Sequence, residues 1–203
     1  MSGKYGKIYK SIWDDPDFQN LTLEAQHLYV MLTSNKQTSF AGVIPLAPGR
    51  FEAMSKNMTL RKFTNALREL ERSNYVFVDR KTLEICVRTY IKWDESLANK
   101  NLAVAVARSI EQIFSKKIRQ NLAEELAAYR AEFPNLVGWN VLSEHNPAFF
   151  DLIFVHAKTH PAPESQGFTP EAPSEAPTGH PWEAPTEAPW QDPPIPIRFP
   201  MPS

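Results

Sequence analysis

Between residues 58 and 72 apolar side chains return every three or four positions: Leu60, Phe63, Leu67 and Leu70, with Ala66 among them. That period predicts one amphipathic helix with this stripe turned inward, and Thr59 stands where an N-cap belongs. Directly afterwards the period changes to two. "YVFVD" (75–79) and "EICVRTYI" (84–91) alternate as strands do, and Arg80, Lys81, Thr82 and Leu83 are left to form the turn between them. Upstream, "LTLEAQHLYVMLTS" places Leu21, Ala25, Leu28, Tyr29 and Leu32 on one helical face, with Thr22 as its cap. "GVIPL" (42–46) reads as a short strand in which Pro45 is tolerable only on an edge. "PGRFEAMSKN" reads as a short helix with Pro48 in its first turn.

From about Asn99 to Phe133 the pattern is wholly helical. Val106, Ile110, Ile113 or Phe114, Ile118, Leu122, Leu126, Tyr129 and Phe133 recur at helical spacing. This predicts either one long helix or two with a break near Ser115, stopped by Pro134. A last helix is expected from "NPAFFDLIFVHA", with Asn146 as cap and Pro147 at the first helical position. The fold class expected is α+β: a mixed domain over residues 5–93, a helical partner or self-association region over 94–158, and a tail over 159–203. From Pro161 onward the tail holds 13 of the 18 prolines and a loose repeat, "PEAPSEAPTGHPWEAPTEAPW". So few aliphatic side chains cannot bury a core, and the expectation is a disordered, Pro-rich, acidic segment. Trp182 and Trp190 are its candidate partner-binding anchors; a plain solubilising tail is the alternative.

Charge sharpens this picture. The net charge of −1 hides a split: residues 1–92 carry +5, residues 93–160 carry −1 and residues 161–203 carry −5. A basic front with an acidic end suggests a polyanion-binding head. On the helix over 60–72, Arg61, Asn65, Arg68 and Arg72 follow one another at spacings of four, three and four, opposite the apolar stripe, with Lys62 and Thr64 flanking. Lys4, Lys7 and Lys10 add charge near the start. Arginine-rich stripes are commonly solvated faces, and Glu69 and Glu71 dilute this one.

The order helix, strand, helix, helix, strand, strand over residues 20–92 is that of a winged helix-turn-helix. In such a fold the third helix enters the major groove and its front residues reach base edges. Arg61, Lys62 and Asn65 are therefore the candidate base contacts, Arg68 and Arg72 lie along the same stripe, and Arg80 and Lys81 at the hairpin tip would hold phosphates. The stretches "KIYKSIWDDPDFQNLTLEAQHLYVMLTS", "AGVIPL" and "LRELERSNYVFVDRKTLEICVRTYIK" resemble winged-helix replication proteins of actinobacterial phages. More distantly they are similar to the N-terminal domains of phage replisome organisers and bacterial primosome proteins. The likeness covers about residues 5–95, extends weakly into the helical region and leaves the tail outside. It implies binding to double-stranded DNA at an origin and recruitment of a replicative helicase or its loader, with no catalytic motif and no cofactor.

Other chemistry finds little footing. The seven glycines form no phosphate loop, and the single Cys86 makes neither a disulfide nor a cysteine zinc site. His156 and His160 lack a third ligand at useful spacing, so no metal is expected. Asp14, Asp15 and Asp17 in "DDPDF" invite a nuclease reading, but Asp and Pro are also the residues of a turn leading into a capped helix, and the turn is preferred. No apolar run is long enough for a membrane span, and no apolar block follows the N-terminal lysines. These features, with one cysteine, suggest a reducing, cytoplasmic setting. The expected function is thus a non-enzymatic DNA-binding protein of phage replication initiation, with a homo-oligomer as one use of the helical region. A phage transcriptional regulator is the first rival, and a winged-helix module that targets a host factor without binding DNA is the second.

Overall fold

In each of the five longest helices a side chain at the start meets the free amides that a helix N-terminus leaves behind. Thr22 accepts from the Ala25 amide at 3.3 Å and Thr59 from the Lys62 amide at 3.3 Å. Asn99 accepts from Asn101 and Leu102 at 2.9 and 3.2 Å, Ser115 from Ile118 at 3.0 Å and Asn146 from Phe149 at 3.2 Å. Each such cap contributes about 1 kcal/mol. In the computed structural model, which describes residues 6–159, they open α2 (Leu23–Thr33), α4 (Leu60–Arg72), α6 (Lys100–Glu111), α7 (Lys116–Glu132) and α9 (Pro147–Thr159). The others are α1 (Pro16–Gln19), α3 (Pro48–Met54), α5 (Tyr90–Asp94) and α8 (Gly138–His145). The protein is mixed α+β, and none of the helices among the described residues is long and apolar enough to cross a membrane.

Three short strands, β1 (Val43–Pro45), β2 (Val76–Asp79) and β3 (Glu84–Val87), form an antiparallel sheet in the order β1-β3-β2. Pro45 is on an edge strand, as its missing amide requires. The register sets Val43, Cys86 and Phe77 side by side in one row, and Ile44, Ile85 and Val78 in the next. Successive side chains point to opposite faces. The first row packs among α6–α9 with Ala41, Ile91, Ile110 and Leu126. The second packs among α1–α4 with Phe18, Leu28, Phe63 and Leu70. Both faces of the sheet are therefore covered, and the described residues belong to one compact unit.

Several expectations are corrected. Strand β3 stops at Val87 and does not run on to Ile91; the chain turns into α5 instead. Tyr90 and Ile91 still face the two different cores, so their alternation looks like a strand's although the backbone is helical. The turn is tight: Gly42, at φ +74°, lies where a Cβ would come within 2.5 Å of the Tyr90 Cβ. Of the two alternatives for residues 99–133, the break at Ser115 is the one found: the stretch is two helices, and of the pair Ile113 and Phe114 it is Ile113 that is buried. Helix α8 goes unread in the sequence because Val137 provides no side-chain cap and Gly138 sits in its first turn. That glycine is required there, since a Cβ would lie 2.7 Å from the Leu97 backbone.

One buried carboxylate joins the layers. Glu84 is 7% exposed and shares its sheet face with Cys86. It accepts from the Phe114 amide at 3.0 Å and the Ser115 amide at 2.7 Å, satisfying the start of α7. Each buried donor left without a partner costs about 1–3 kcal/mol. Glu84→Ala in the full chain is therefore expected to lower stability by about 2–4 kcal/mol in urea unfolding; a loss below about 0.5 kcal/mol would contradict the role given to this carboxylate.

Candidate nucleic-acid interface

Helix α4 packs against α2, α3 and β2. Phe63, Ala66, Leu67 and Leu70 are buried, and Phe63 stacks on Phe51 of α3 with ring centroids 5.0 Å apart. Leu60, expected on the same stripe, is instead 55% exposed at the helix start. Its place at the first position, ahead of the first full turn, carries it past the edge of the core. With the inward face fixed, Arg61, Lys62, Asn65, Arg68 and Arg72 all stand exposed on the other side.

The two glutamates that dilute this face in the sequence are both engaged elsewhere. Glu69 accepts from the Thr22 amide at 2.8 Å and the Thr22 hydroxyl at 2.7 Å, so it serves the start of α2. Glu71 accepts two bonds from Arg80 at 3.2 and 2.7 Å, tying the hairpin turn to α4. Among the described residues Arg61, Asn65 and Arg68 have no side-chain hydrogen-bond or ion-pair partner. Arg72 donates to the Arg68 carbonyl at 3.3 Å, back along its own helix. Lys62 lies 3.5 Å from Glu24, an exposed pair of the kind that contributes little. Thr64 returns its hydroxyl to the Leu60 carbonyl at 2.8 Å and offers no outward donor. Asn65, Arg68 and Arg72 line a shallow open depression together with Glu69 and Glu71.

At the hairpin turn the two expected phosphate contacts differ. Lys81 is exposed and its side chain has no partner among the described residues; only its amide is used, donating to Asp79 at 2.9 Å. Arg80 is held by Glu71, and that bond raises its pKa further. Of the N-terminal lysines, Lys7 is tied to Glu95 at 2.9 Å, and Lys4 lies outside the described residues, as do Trp182 and Trp190. The acidic "DDPDF" segment is structural at Asp15, which caps α1 through the Asp17 amide at 3.0 Å and accepts from the Tyr75 hydroxyl at 2.9 Å. Burial, then that bond to Asp15, pushes the Tyr75 hydroxyl well above its ordinary pKa.

A second cationic group escaped the sequence reading. The corner between α6 and α7 sits against the hairpin: the Ser115 hydroxyl donates to Asp79 at 2.5 Å, while Glu84 takes the Phe114 and Ser115 amides. The Ser115 bond, the first of several, holds the Asp79 carboxyl below the usual range. Asp79 and Glu84 bracket the turn over residues 80–83, so Phe114, Lys116 and Lys117 are brought beside it. The local signal is the run "FSKK" (114–117), in which Ser115 marks one of the two alternatives for this stretch, a helix break. No family model, no curated protein and no solved structure matches the chain.

Proposed function

We propose that the protein binds double-stranded DNA as a winged helix, with α4 as the reading helix and the β2–β3 hairpin as the wing. One observation carries this reading. Arg61, Asn65, Arg68 and Arg72 stand exposed along one face of α4 while both intervening glutamates are engaged in bonds with Thr22 and Arg80. The side chains left without partners on this face are thereby donors. Arginine grips guanine and asparagine grips adenine through paired hydrogen bonds in the major groove, which admits a helix. The order helix, strand, helix, helix, strand, strand and the sheet order β1-β3-β2 support the winged-helix assignment.

Within this reading Arg61, Lys62 and Asn65 contact bases near the front of α4, and Arg68, Arg72 and Lys81 contact phosphates. Arg80 does something different, setting the angle of the wing to α4 through Glu71. The protein acts without catalysis. A place in phage replication initiation, with recruitment of a replicative helicase or its loader, rests on the resemblance carried by residues 5–95. Mapping the DNA that the full chain occupies in infected cells tests it, since sites at an origin support that place and sites at promoters overturn it.

Two expected outcomes test the binding itself. Full-chain affinity for duplex DNA should fall with salt at a log–log slope of about −3 or steeper, as the phosphate contacts of Arg68, Arg72 and Lys81 require; a flat dependence, or no binding at about 50 mM salt, overturns the reading. In the second, Asn65→Ala should cost about 1–3 kcal/mol on a selected site and little on random duplex, whereas Lys81→Ala should weaken both alike. Equal losses on both DNAs for Asn65→Ala would remove α4 as the reader.

A further inference from the structure

Phe114 is 81% exposed, more than any other large apolar side chain among the described residues. Single exposed apolar residues are ordinary, but this one is held in place. Its own amide is fixed to Glu84 at 3.0 Å, and the next residue, Ser115, is bonded to Glu84, Asp79 and Ile118. The ring is thus presented from a corner clamped to both ends of the hairpin turn.

Its surroundings are cationic on the outside. Lys116 and Lys117, the first two residues of α7, are exposed, as is Lys81 in the turn, and none of the three side chains has a partner among the described residues. Of the neighbouring acids, Glu84 is buried and accepts from two amides, while Asp79, half-buried, accepts from the Ser115 hydroxyl and the Lys81 amide. Glu111, exposed at the end of α6, is the remaining acid on the segment leading to the corner. A second exposed apolar side chain, Leu83, stands in the turn itself, where the backbone is left-handed at φ 57°. Apolar wedges flanked by lysines are how proteins unstack a base step and bend a duplex from its minor groove.

We propose that Phe114 is a DNA-bending wedge that enters the minor groove beside the site read by α4, with Lys81, Lys116 and Lys117 on the flanking phosphates. This rests on the DNA-binding reading above and adds to it a second contact surface, the corner of α6 and α7 beside the wing. The ring inserts between bases and the lysines neutralise the backbone it approaches, so the duplex kinks where the protein reads no sequence. Placement on the corner gives the wedge a fixed distance from the hairpin, because Glu84 and Asp79 belong to the strands themselves.

The test uses the full chain and a duplex recovered by selection on it, labelled at both ends with a donor–acceptor pair. Binding of the wild type should shorten the end-to-end distance. Phe114→Ala should abolish the shortening and weaken binding several-fold, with the melting temperature and the salt slope unchanged; Phe114→Trp should restore the bend. Lys116→Ala with Lys117→Ala should reduce the salt slope by about two. Wild-type binding without shortening, or a Phe114→Ala protein that bends the duplex as the wild type does, overturns the wedge and leaves the α4 reading standing. Loss of a captured protein with bending intact assigns the ring to protein contact and equally overturns it. Absence of any binding by the wild type overturns both.

Discussion

Burial of β3 on both faces is the constraint on which the rest of the molecule depends. All four residues of this strand are buried: Ile85 and Val87 against α1–α4, Cys86 among α6–α9, and Glu84 on the Cys86 side. A sheet with strands of three and four residues is too short to stand alone. Its stability comes from the two helical layers that close on it. Arg88 pairs with Glu125 and Lys92 with Glu132 across the same junction, both partly exposed and so worth little beside the apolar contacts.

That arrangement sets what the outer surfaces carry. Packing on one sheet face fixes the roll of α4, because Phe63, Leu67 and Leu70 must point inward. The opposite side then has to present Arg61, Asn65, Arg68 and Arg72. Two acids on the same helix are engaged by the neighbours that packing brings close, Thr22 and Arg80. The result is a donor-rich face on a chain whose total charge is only −1. Net charge was therefore a poor guide, and local pairing decides the field that a polyanion meets. Packing on the other sheet face brings the corner of α6 and α7 to the hairpin turn through Glu84.

Elements with a local cause were legible in the sequence. Thr22, Thr59 and Asn146 marked helix starts because capping is a contact of three residues' reach, and Ser115 marked the break it makes. Pro45 marked an edge, and the basic stripe followed from helical spacing alone. What stayed hidden had non-local causes. The glutamates read as spoiling the stripe because their partners are 47 and 9 residues away. Tyr90 and Ile91 read as strand because two cores, one on each side, impose the same alternation on a helical turn. Helix α8 had no cap and carried a glycine demanded by Leu97, a neighbour 41 residues earlier in the chain. Phe114 stands as one alternative in the helical pattern, and only the bonds of Glu84 and Asp79 place it, with the lysines that follow, beside the hairpin turn.

The single cysteine reports directly on the sheet. Cys86 is fully buried, and burial pushes its thiol up to about 12, so it reacts only when the face it occupies opens. The decisive measurement is the labelling rate of Cys86 in the full chain at pH 8, across increasing denaturant, beside far-ultraviolet circular dichroism of the same samples. If both helical layers stand on one shared sheet, labelling should rise only with global unfolding and with the same denaturant dependence. Fast labelling at denaturant concentrations where the dichroism is unchanged would mean that α6–α9 lift away from the sheet on their own, and would contradict the dependence of both layers on β3.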